Sequence, residues 1–155
     1  MSLIKTLEEV YDHCVAEGNI LPLEDFSPDL ILRFGRIVEE DLLTAQDAVA
    51  KKRWTSAFKL FYGVLHQLVE SLLLFDKVKT KNDLSLFTSL CCKHPELELD
   101  WDFFERVRIK KMVIENEATL LSEKDWKEVE LQFKLYISSL KREVGRKMSE
   151  FPRTY

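Results

Sequence analysis

An all-α fold, an antiparallel bundle of five or six helices, follows from three features of this sequence. Apolar residues recur at three- and four-residue spacings through long segments, with polar residues between them. The 155 residues include only four glycines and four prolines, too few for the many turns of a β-sandwich or barrel. No segment alternates apolar and polar residues with the two-residue period of a half-buried strand.

The first helix is read over residues 3–17, where Leu3, Leu7, Val10, Tyr11 and Cys14 form a stripe that stops at Gly18-Asn19. Ile20 to Phe26, with Pro22, is a short connector. Ser27-Pro28-Asp29 supplies an N-cap, a first-turn proline and a first-turn acid. The helix they open carries Leu30, Ile31, Phe34, Ile37, Val38, Leu42, Ala45 and Val49. It ends in Lys51-Lys52-Arg53, cations suited to the negative end of the helix dipole. Ala57 to Phe75 is apolar around much of its circumference and belongs at the centre, followed by the polar turn KVKTKND. Asn82-Asp83 caps a short helix through Leu90 that His94-Pro95 closes, because a residue before proline is pushed out of the helical region. Asp100 opens a fifth helix through Phe103, Phe104, Val107 and Met112. Ser122 and Asp125 form a capping box with aspartate in place of glutamate, ahead of a long last helix through Trp126, Phe133, Ile137 and Val144. Three regions result: an N-terminal helical extension (1–28), the bundle proper (29–148) and a frayed tail (149–155).

Composition narrows the functional classes. Charged residues make up 32% and hydrophobic residues 46%, which excludes disorder. The net charge of −4 gives no global grip on nucleic acid, so any such binding needs a local patch. Cys14, Cys91 and Cys92 form no paired framework and no secretory leader is read, which points to a reducing cytoplasm. The 57–75 segment reaches spanning length, but Lys59, His66, Gln67 and Glu70 interrupt it, so a buried helix is expected and no membrane association. Cys91, Cys92 and His94 lack the spaced pairs of a structural zinc site; neither metal nor cofactor is expected.

The chemistry concentrates in two places. Tyr62, His66 and Glu70 stand four residues apart on one face of the central helix. Arg106, Arg108, Lys110 and Lys111 follow on the fifth helix, where Arg108 and Lys111 share a face. His66 is either a ligand-facing imidazole oriented by Tyr62 or Glu70, or a core histidine satisfied by a neighbour. Glu70 is costly to bury alone, and Arg108 is a fitting bidentate partner, as a structural salt bridge or within a site. The basic cluster is either a phosphate contact or a solvated face.

From about Ile37 to Val144 the order of these pieces resembles the HEPN family, small helical domains of prokaryotic toxin–antitoxin and nucleotidyltransferase-linked systems. The pieces are DLLTAQDAVAKKRW, SAFKLFYGVLHQLVESLLL, the KTKNDLSLF turn, and an arginine-bearing helix ending in a Glu-Asn turn before a tryptophan-headed last helix. The resemblance implies a helical homodimer with a cleft at the interface, RNA or nucleotide as ligand, and a nucleotidyltransferase or a toxin–antitoxin partner. Its active members carry an arginine followed after four to six residues by histidine or tyrosine. Arg108 matches the arginine, with Arg106 as second choice, but the following position falls at Val113 or Ile114. An aliphatic side chain can neither take nor give a proton, so the expectation is a binding domain without efficient catalysis. Were it a ribonuclease, His66 and Arg108 would have to carry the reaction, without metal. The expected binding set is Tyr62, His66, Glu70, Arg106, Arg108 and Lys111. The alternative is a protein-interaction module with no nucleic-acid ligand, in which Arg108 and Glu70 are structural. Trp54, Trp101 and Trp126 near helix starts either staple helices or line a partner surface, and the apolar excess of the central helix would be buried by a homodimer or, in the alternative, by a protein partner.

Overall fold

The computed structural model describes residues 5–151 and is an all-α bundle. Its helices are α1 (Leu7–Ala16), α2 (Pro28–Ala50), α3 (Trp54–Phe75), α4 (Asp83–Lys93), α5 (Trp101–Glu117) and α6 (Glu123–Glu150). Most boundaries lie where the capping residues place them. The side chains of Asn82, Asp100 and Ser122 accept bonds from backbone N–H groups of their first turns, and the Ser122–Asp125 box closes in both directions. Ser27 precedes α2 but makes no side-chain cap, leaving that start to Pro28 and Asp29.

Two corrections concern the connectors. Ile20–Pro22 and Val78–Thr80 pair as antiparallel strands, β1 and β2, inside segments read as a connector and a polar turn. Three residues are too few to display a two-residue period, so the sequence carries no strand signal there. The last helix also runs to Glu150 instead of fraying at Ser149. Phe151 then packs against Phe26 and Phe75; the rest of the expected tail lies outside the described residues.

α3 is the core helix. Eleven of its residues are buried, including Phe58, Phe61, Tyr62, Leu65 and Leu72, with α2 on one side and α6 on the other. Phe58 and Phe61 meet Phe133, and Phe61 meets Trp126. The apolar excess of α3 is thus covered within the chain, and Trp126 is buried core instead of partner surface. By length and composition α3 could also cross a membrane.

Helix directions matter for the site. Lys77, at φ 56°, turns the chain after α3, and β2 runs back along that helix before α4 begins. Asp83 therefore lands level with Tyr62 and His66, while His94 lands level with Asp76. α4 consequently runs alongside α3 in the same direction. α5 returns against α4, as Lys111 meeting Asp83 and Phe104 meeting Phe87 require. The segment before α2 is joined to this assembly by β1 and by α1 packing on α4.

Candidate functional site

Asp83, at the first turn of α4, is the hub of a cluster drawn from three helices. Its Oδ2 accepts from the Tyr62 hydroxyl at 2.6 Å and from Lys111 Nζ at 3.1 Å, and its Oδ1 accepts from His66 Nε2 at 2.9 Å. His66 Nδ1 donates to Glu70 Oε1 at 2.6 Å, one turn along α3. Lys111 Nζ lies 4.8 Å from the Tyr62 ring centroid, within cation–π range, and 3.8 Å from Glu115.

These contacts fix the protonation states. Burial alone would lower the His66 pKa, but hydrogen bonds to Asp83 and Glu70 and their charges outweigh it and raise the imidazole to about 9. His66 is therefore an imidazolium at neutral pH with both N–H groups committed. The hydrogen bond from His66 holds the Asp83 carboxyl far below the usual carboxylate range, against its burial, with help from Tyr62 and Lys111. Tyr62 is raised well above an ordinary phenol, first by burial and then by its bond to the Asp83 carboxylate, so it stays neutral. With both N–H groups donating, the His66 imidazole is not a free base. Proton abstraction from a ribose hydroxyl needs one.

The cluster opens on two clefts that share Phe34, His66 and Glu70. One, of about 400 Å³, is a groove between α3 and α5 lined by Lys59, Tyr62, Gly63, Gln67, Lys111, Ile114 and Glu115. The other, of about 590 Å³, lies against β2 and the start of α4, with Leu30, Leu73, Leu74 and Leu86 as walls and Lys79 and Lys81 among its polar residues.

Of the six residues expected to bind, Tyr62, His66, Glu70 and Lys111 come together. Arg108 does not pair with Glu70. It forms a bidentate bond to Glu105 at 2.9 and 3.0 Å, because a carboxylate one turn back is reached with less chain ordering than one on another helix. Glu70 meets His66 instead. Arg106 points elsewhere and donates to Gln132 on α6 at 2.9 Å. Ile114, one of the aliphatic residues at the motif position, is buried against the groove. His94 is committed to Asp76 at 2.6 Å and Glu96 at 3.0 Å. Among the described residues no group of histidine, cysteine and carboxylate side chains is arranged to hold a metal ion.

Asp83, Lys59, Gly63 and Gln67 were not among the expected site residues. Asp83 reads locally as a helix-start acid. Its role could have been found only by asking which carboxylate the connection after α3 returns to His66. The run from Asp76 to Asp83 can extend about 23 Å, enough to retrace the roughly 14 Å from Phe75 back to His66. No family model matches the chain, and neither does a curated protein or a solved structure.

Proposed function

We propose that the protein is an HEPN-like helical domain that holds RNA or a nucleotide in the groove beside Asp83 without cleaving it. In this reading it acts as a homodimer, as the accessory of a nucleotidyltransferase or within a toxin–antitoxin pair. The observation that carries the binding reading is the convergence of Tyr62, His66, Asp83 and Lys111 on one groove, where Lys59 stands without a salt bridge among the described residues. Lys59, which forms no salt bridge among the described residues, and Lys111 beside it support an anionic ligand against Glu70 and Glu115 on the same lining, while the committed N–H groups of His66 withhold its imidazole as a base. The partner roles rest on the sequence resemblance. The test is binding of labelled RNA at low salt by the parent and by Lys111→Ala, alongside cleavage assays without metal that include His66→Ala and Arg108→Ala. The reading expects binding that weakens in Lys111→Ala, and no cleavage by any of the proteins. Absence of RNA and nucleotide binding, or cleavage by the parent that both other substitutions abolish, contradicts it.

A second reading, a protein-interaction module, is favoured by a different surface. Ile109 and Met112 on α5 and Leu131 and Leu135 on α6 are exposed on the helix pair bridged by Arg106–Gln132. Light scattering on Leu131→Asp/Leu135→Asp tests it, since loss of self-association or of a partner would place the interaction there.

A further inference from the structure

Gly63 stands in the middle of α3, where a glycine weakens a helix relative to alanine. Intramolecular packing does not ask for it: a Cβ built on Gly63 meets nothing within 4 Å. The space that the missing side chain leaves is the floor of the groove between α3 and α5. Gly35 and Gly145 also have open space at the Cβ position, but both lie on exposed helix surface, whereas Gly63 is half-buried and lines the groove.

The surroundings of that floor have three unused recognition elements. Lys59, one turn before Gly63, forms no salt bridge among the described residues, and Lys111 faces the same groove. Gln67, one turn after Gly63, has a carboxamide oxygen that is buried without a donor. Its side chain makes no hydrogen bond among the described residues, so turning it toward a ligand sacrifices none. Phe34, reaching in from α2, has no aromatic partner among the described residues, unlike Phe26 and Phe58.

Resting on the nucleotide or RNA reading above, we infer that the Gly63 floor seats one phosphorylated heteroaromatic unit. Its phosphate lies toward Lys59 and Lys111, its ring against Phe34, and a ring N–H or amino group meets Gln67. The volume of about 400 Å³ is on the scale of one nucleotide unit. A ring stacks on an aromatic face whatever its sequence, and two ammonium groups take a terminal phosphate more strongly than a backbone diester because the monoester carries more charge. The same chemistry is offered by a free mononucleotide and by the phosphorylated end of an RNA.

The experiment uses the full chain with four probes: AMP, adenosine, and one ten-nucleotide RNA with either a 5′-phosphate or a 5′-hydroxyl. The parent is expected to prefer the phosphorylated member of at least one pair by about tenfold or more, the scale of one charge-assisted contact. Preference within the AMP pair alone identifies the free nucleotide as ligand; preference within the RNA pair alone identifies the RNA end. Lys59→Ala should erase the preference. Gly63→Ala should weaken the phosphorylated probe about tenfold while raising Tm by about 2–4 °C, because alanine is the better helix residue and its methyl enters only the groove. A merely structural glycine would give the rise in Tm with affinity unchanged, and that result overturns the inference. A fall in Tm would overturn it too, since the methyl would then be clashing with the protein. RNA binding that depends on Lys111 but ignores the phosphate end and Gly63 sinks this site while leaving the general reading intact. No binding of any probe by the parent removes both.

Discussion

The parallel pair α3 and α4 is clasped at two levels by the same chemical device, a histidine between two carboxylates, and the two levels differ in everything else. At one end His66 of α3 bridges Asp83 and Glu70. At the other His94, the C-cap of α4, bridges Asp76, the C-cap of α3, and Glu96. Both imidazoles are raised above the ordinary histidine pKa, His66 against its burial and His94 chiefly by its bond to Asp76. The His94 side chain is 5% exposed, whereas His66 is 27% exposed and faces two clefts. Among the described residues, only the His66 cluster recruits further groups, Tyr62 and Lys111, from outside its own triad. A carboxylate–imidazole–carboxylate arrangement is therefore not a site in itself. What sets the His66 level apart is its access to the two clefts.

The largest expected effect separates the two as structure and site. His94→Ala leaves Asp76 half-desolvated at a helix junction and should lower unfolding stability by about 2–4 kcal/mol in urea titration. It should leave RNA affinity unchanged once the protein is folded. A stability loss below that of His66→Ala would reverse the assignment of roles.

The next effect is on pH dependence. His66 has a folded pKa of about 9 against an ordinary value near 6.5. Its contribution to stability is full below that lower value and is lost as pH rises toward 9. His94 acts with the same sign. Stability should therefore fall on the order of 2–3 kcal/mol between pH 6.5 and 9. The fall should be shallower in either histidine variant. A flat profile in the parent would break the picture of two imidazolium clasps.

A smaller effect is expected of His66→Ala, about 1–2 kcal/mol, because Asp83 keeps Tyr62 and Lys111 and water enters from the clefts. The smallest is the stability change of Lys111→Ala, under about 1 kcal/mol for a partly exposed ion pair. That variant should nonetheless lose RNA affinity. A large destabilisation with unchanged affinity would make Lys111 a structural residue like Asp76.

Much of this was written in local sequence. Helix starts at Asn82, Asp100 and Ser122 follow from side chains that reach their own first turns, and the Tyr62–His66–Glu70 face follows from helical periodicity. The rest depends on contacts between segments far apart in the chain. Asp83 is 17 residues from His66 and 28 from Lys111, and no period links them. The Arg108–Glu70 pair does not form for the opposite reason: Arg108 has a local partner, Glu105, one turn back on its own helix. β1 and β2 were too short to show a pattern, yet β2 returns the chain so that Asp83 reaches His66.

As a committed imidazolium, His66 withholds its imidazole from the groove as a general base. NMR titration of the His66 ring carbons and nitrogens between pH 5 and 10, with His94→Gln to assign the signals, tests this directly. The expected result is a doubly protonated ring at pH 7.5 with a midpoint near 9. A midpoint at or below the ordinary value near 6.5 would contradict it, leaving a neutral imidazole beside Lys111 that is free to act as a base.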